Sequence, residues 1–260
     1  MERVRYGKCP LIEVVLQVNF PTILSIDANE PVEFQEKIRT QYPDYNVQTQ
    51  EMGQVTVGIG NNNHVVNHCS STMKLYTFTS TDKLWRIILS RDMLLLSTKG
   101  YTQWEEMFER FVELIKCFKE IYVPSSFVRI GLRYIDSFER DKLELTNYNW
   151  NQLLKPHVCG SLCYAPEDSM QVVSNTLSAD LRFDDVMVKS VSGLGMVDRQ
   201  NGLPPVEAFL MNCDYYSTGQ FSLEDFESVA NKLHYRSHIY FRDAITDCLH
   251  TAMKPEKMDI

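Results

Sequence analysis

The alternation of apolar and polar positions along the chain divides it into strands and helices. Pro10 to Phe20 carries Leu11, Ile12, Val14, Leu16 and Val18 and reads as a buried strand stopped by Pro21. Pro31 opens a predicted short helix with Phe34, Ile38 and Tyr42 at helical spacing. Short strands are expected around Tyr45–Gln50 and Gln54–Ile59, followed by a polar loop from Gly60 to Thr72. Tyr76 and Phe78 mark the buried face of the next strand, and Arg91-Asp92 is the turn of a hairpin between Lys83–Ser90 and Met93–Thr98. From Thr102 to Tyr122, Trp104, Phe108, Phe111, Ile115 and Phe118 recur every three or four residues with charges between them. This predicts an amphipathic helix, opened by a Thr102/Glu105 capping box. Phe127–Phe138 is again a strand, with a short helix at Trp150–Leu154. Met170–Phe183 and Val186–Met196 flank an Asp184-Asp185 turn, and Val206–Tyr216 is the last strand. A final helix capped by Ser222 and Asp225 is expected to run on without a break towards Pro255.

Two halves, 1–124 and 125–260, show the same order: strand, helix, further strands, long helix. The expectation is one α+β domain over residues 1–260, with a long antiparallel sheet formed by two pseudo-repeated halves and both long helices on one face. Joining the halves edge to edge leaves fewer bare strands than two separate units. The order is that of TATA-binding-protein-like and helix-grip topologies, a likeness of topology that transfers no function.

Composition narrows the class. The chain has 260 residues, 44% hydrophobic and 23% charged, and a net charge of −8, which suits a globular protein and repels phosphate backbones. Direct nucleic-acid binding is therefore not expected. Seven cysteines, an odd number at irregular spacing, and a start without an apolar core predict reduced thiols in a cytoplasmic protein. No apolar run reaches membrane-spanning length, so no membrane association is expected. Unpaired thiols and edge strands leave room for a homo-oligomer.

Candidate chemistry is sparse. Arg129 and Arg133 share one strand face with Gly131 and offer two guanidiniums for an anion or a partner's carboxylate. The plainer reading pairs them with Glu109 or Glu113 on the amphipathic helix. Tyr215, with Tyr216 and Tyr240, is placed to line a pocket between helix and sheet, or simply to fill the core. His157, Cys159 and Cys163 gather metal-ligand types in one loop, as do His64, His68 and Cys69, but neither group has the second cysteine pair of a structural zinc site. His234 and His238 are one helical turn apart without the glutamate of a zinc protease. No nucleophile elbow, dinucleotide fingerprint or phosphate loop occurs, and Gly193-x-Gly195 reads as a strand bulge. No catalytic residue, resident metal or cofactor is expected.

Several segments together resemble a sporadically distributed, functionally uncharacterised family of bacterial proteins of about 260 residues. They are Pro10–Val15, Leu75–Ser80, Tyr101 with Trp104-Glu105, Arg129-Ile-Gly-Leu-Arg-Tyr-Ile135, Leu210–Tyr216 and His234 with Phe241–Thr246. Asp136 and Asn212 depart from the pattern, which has asparagine and aspartate there. The patchy occurrence of such families resembles that of defence-linked or toxin–antitoxin genes. The family offers no established activity to transfer; the missing catalytic motif and the negative charge lead to the expectation of a non-catalytic accessory or regulatory component that binds a protein, such as the effector encoded by a neighbouring gene. Two alternatives stand beside it. One is a small-ligand or anion sensor with a helix–sheet cavity. The other is a metal-assisted hydrolase built on the His157 loop.

Overall fold

The computed structural model describes residues 4–60, 63–164, 172–198, 204–222 and 224–257, and over 51–71 the backbone alone. In chain order the elements are β1 (Val4–Tyr6), β2 (Leu11–Asn19), α1 (Leu24–Ala28), α2 (Val32–Ile38), β3 (Asp44–Gly60), β4 (Asn63–Thr79), β5 (Trp85–Ser90) and β6 (Met93–Thr98). Then follow α3 (Trp104–Tyr122), β7 (Phe127–Phe138), α4 (Trp150–Leu153), α5 (Pro156–Cys159), β8 (Thr176–Phe183), β9 (Val186–Val197), β10 (Val206–Phe221), α6 (Asp225–Ala244), α7 (Asp247–Ala252) and β11 (Pro255–Lys257). The chain is α+β.

Nine strands form one antiparallel sheet in the order β3-β4-β5-β6-β2-β7-β10-β9-β8. β2 and β7 lie side by side at its centre, and β1 pairs with β11 in a separate two-stranded ribbon. Register assigns the faces, because successive side chains along a strand point to opposite sides. Leu16 sits opposite Leu132, and Leu132 opposite Tyr215. These point to the side covered by α3 and α6. Gln17, Gly131 and Tyr216 are one step out of phase and point to the other side. The core therefore lies between one sheet face and the helices. It is a single cluster that includes Val14, Leu16, Phe78, Phe111, Phe118 and Leu132. α3 contributes through Trp104, Met107, Phe111, Leu114, Ile115 and Phe118, all buried. Among the described residues, no helix is long and apolar enough to cross a membrane.

Several local expectations change. α3 has Gln103 at its N-cap with no side-chain cap; Thr102 Oγ1 instead donates to Glu106 Oε2 at 2.6 Å, so the Thr102/Glu105 box is not formed. The segment read as two short strands and a loop is one hairpin of two 17-residue strands, β3 and β4, in continuous register. Its mixed polar sequence lacks the hydrophobic alternation by which a half-buried strand is read. The final helix breaks at Ile245. That residue is extended and bridges Leu154, while the Lys155 N–H donates to Ala244 O and the Thr246 N–H to Leu153 O. Thr246 then caps α7, its side chain accepting from the Leu249 N–H. Gly193-x-Gly195 carries no bulge, since β9 stays in register with β10 throughout. Gly193 is needed for close approach: a Cβ there would lie 1.9 Å from Asn175 O.

Candidate functional site

β7 is the axis of the site, because its two faces meet different environments. Ile130, Leu132, Tyr134, Asp136 and Phe138 are in phase, and all but Asp136 are apolar or aromatic. Their side faces the helices. Asp136 is thus a carboxyl on a core face, 2% exposed, and its Oδ1 has no hydrogen-bond partner. Burial alone pushes its pKa up to about 8, because a charge in a poorly solvating pocket is costly. The sequence marks Asp136 only as a departure from the resembled pattern, although its phase with Ile130, Leu132 and Phe138 is a signal for the core face.

Asp136 lines a cavity of about 130 Å³, many times the room a buried water needs. The floor is β7 and β10, with Asp136, Met211, Cys213 and Tyr215; one wall is α6, with His234, Ser237, His238 and Phe241. The remaining boundary comes from Val4 and Tyr6 of β1, the Cys9–Leu11 segment and Tyr101. Tyr134 Oη and His234 Nδ1 share a hydrogen bond of 2.9 Å. Tyr134 makes edge-on contacts with Tyr101 and Tyr215, at ring-centroid distances of 6.0 and 6.5 Å. Outside this group, Tyr6 Oη and His250 Nδ1 are 2.8 Å apart. Burial is the main cause that pushes the Tyr6 phenol up to about 12, holds those of Tyr134 and Tyr215 well above their ordinary value, and raises the Cys213 thiol to about 11. The lining is thus uncharged near neutral pH except where Asp136 or a histidine ionises.

The residues anticipated as one site are split by the sheet. Tyr215 lines the cavity, while Tyr240 is buried behind it and donates to Ser190 Oγ at 3.1 Å. Arg129 and Arg133 point to the opposite side. They do not pair with Glu109 or Glu113, because α3 covers the other face. Arg129 Nη2 instead donates to both carboxylate oxygens of Asp214, at 2.9 and 2.8 Å, and its guanidinium stacks 4.7 Å from the Tyr216 ring centre. It lies flat over Gly131, where a Cβ would meet Nη1 at 2.3 Å. Arg133 Nε donates to Asn212 Oδ1 at 2.6 Å. Together with Glu13, Arg86 and Asp214, Arg133 rims a second hollow of about 210 Å³ on this face, with Val15, Ile88, Leu95 and Ile135 inside it.

The chain matches no protein-family model and no curated protein sequence. The metal-ligand types in the second half do not converge. His157 Nε2 is 3.6 Å from Asp243 Oδ2, while Cys159 is buried and its thiol is pushed up by burial and by its contact with Cys163. Among the described residues, no three of His, Cys, Asp and Glu are placed to hold a metal ion. The side chains of His64, His68 and Cys69 lie outside the described residues.

Proposed function

We propose that this chain works by holding a small organic ligand between α6 and the β7–β10 floor, as a sensor or ligand-responsive regulatory subunit. One observation carries the reading: Asp136 is a buried carboxyl with an unpartnered oxygen, and it faces a cavity large enough for more than water. Leaving a polar atom buried without a partner costs about 1–3 kcal/mol. A fold that served only to pack would place an apolar residue there. A ligand that hydrogen-bonds to Oδ1 recovers that energy when it binds.

A thermal-shift screen of metabolites tests this. Stabilising compounds should be found, and they should lose their effect on a Ser237→Phe variant, which fills the cavity and whose folding is checked by circular dichroism. Stabilisation that survives in Ser237→Phe would place the binding elsewhere and overturn the reading.

The opposite sheet face favours a second reading, a protein-interaction component of a defence or toxin–antitoxin type system. Val15, Ile88, Leu95 and Ile135 are half-buried and ringed by Glu13, Arg86, Arg133 and Asp214. An apolar centre with a charged rim is the anatomy of a protein interface. On both readings we take the two sides of the β2–β7 seam as pseudo-repeated halves in a TATA-binding-protein-like or helix-grip arrangement. Each half then contributes one central strand and one long helix.

A further inference from the structure

We propose that the ligand of the Asp136 cavity is a small organic ammonium ion, a primary or methylated amine, seated against the Asp136 carboxylate and walled by aromatic rings. This rests on the cavity reading above and gives the ligand its chemical class. The argument is one of complementarity. Five aromatic rings line the cavity: Tyr6, Tyr101, Tyr134, Tyr215 and Phe241. The face of an aromatic ring carries negative potential and attracts an organic cation. Tyr134 meets Tyr101 and Tyr215 at interplanar angles of 89° and 70°, so the rings present their faces in different directions. The rings are therefore not a flat stack.

Charge points the same way. Among the described residues, no lysine or arginine lines the cavity. An anionic ligand would find no fixed positive partner and would face Asp136. A neutral ligand could exchange hydrogen bonds with the protonated carboxyl but would gain nothing from the rings beyond contact. A cation gains from both: a primary ammonium can donate an N–H to Oδ1, and a quaternary one lies against the carboxylate by charge alone.

Binding must then be linked to a proton. In the empty cavity Asp136 keeps its proton until about pH 8; the bound cation requires the carboxylate. Ligand uptake therefore releases the Asp136 proton, and affinity rises with pH until the carboxyl has ionised by itself. The other titratable groups facing it are Tyr6 and Cys9 from the N-terminal segment, Tyr101 before α3, Tyr134 on its own strand, Cys213 and Tyr215 on β10, and His234 and His238 on α6. Tyr6, Tyr134, Tyr215 and Cys213 titrate well above this range. Two cations sit just behind the lining. Arg5 acts on Cys9, and Arg242 acts on Tyr6 while its Nη2 donates to Asp247 Oδ1 at 2.5 Å.

Calorimetry with the full chain tests the inference with choline, tetramethylammonium and 3,3-dimethylbutan-1-ol, the uncharged isostere of choline. Quaternary ammonium probes carry no proton of their own, so their pH dependence reports the protein. Choline or tetramethylammonium should bind at least tenfold more tightly than the isostere. Their affinity should rise about fivefold between pH 7 and 8 and level off by about pH 9. Asp136→Asn, close in size to the parent, should abolish the slope and reduce the preference to what the rings alone supply. Equal binding of the isostere to the unmodified protein, an affinity that does not change with pH, or no binding of either cation would overturn the ammonium assignment. If metabolite hits lost in Ser237→Phe persist in those cases, the cavity reading still stands. Hits that survive Ser237→Phe would remove the cavity reading itself.

Discussion

The indole of Trp104 lies flat on the imidazole of His234, with ring centroids 4.5 Å apart and planes within 6°. The Trp104 Nε1–H also donates to Asn231 Oδ1 at 2.8 Å, so one side chain of α3 pins two positions of α6. His234 passes the constraint on, because its Nδ1 is shared with Tyr134 on the sheet. The α6 wall of the cavity is thereby held at a fixed distance from its floor.

Trp104→Ala should therefore cost about 3–5 kcal/mol, the usual loss for truncating a buried tryptophan. Denaturant unfolding followed by circular dichroism would measure it. A loss below about 1 kcal/mol would show that α3 and α6 dock without this stack.

Asp136 gives the fold an unusual pH profile. Its carboxyl titrates near pH 4 in an unfolded chain and near 8 in the folded one. Between those values the folded chain holds a proton that the unfolded chain has released, so stability falls as pH rises. The contribution is fully present below pH 4 and is lost by about pH 8. His250 acts with the opposite sign below pH 6.5, since burial lowers its pKa, so the comparison belongs at pH 7–8. There the thermal midpoint of the native protein should decline with pH, and that of Asp136→Asn should decline less. Equal slopes would assign the effect to other groups.

Val123 ends α3 in the left-handed region, at φ 44°, with its side chain 77% exposed. A β-branched residue is strained there and buries little in return. Val123→Gly should raise stability by about 0.5–1 kcal/mol, the relief exceeding the added freedom of the unfolded chain. A higher midpoint in urea checks it; an unchanged or lower one would mean that the valine contributes packing that its exposure conceals.

How much of this could be read from sequence depended on where the information lies. α3 and β7 were legible to within two residues because their burial pattern is written in their own periodicity. The pairing of Arg129, Gly131 and Arg133 on one face was legible for the same reason. Which face the helices cover was not, since strand phase is silent about what packs on either side. The arginines were therefore expected against α3 and in fact lie behind it. The break at Ile245 was hidden because its cause is the bridge to Leu154, far away in the chain. Asp136 stands out in the sequence only as a departure from the resembled pattern, because a single acid in a strand resembles any surface position until its phase with Ile130 and Leu132 is counted.

The ribbon of β1 and β11 deserves a last consideration for what it does to traffic. Val4 and Tyr6 border the cavity, and their strand pairs over three residues, Val4 to Lys257, Arg5 to Glu256 and Tyr6 to Pro255, with Tyr6 also bound to His250. Small units of this kind open locally at far less cost than global unfolding. On the ligand reading proposed above, local opening of this ribbon would widen the cavity while the nine-stranded sheet stays intact.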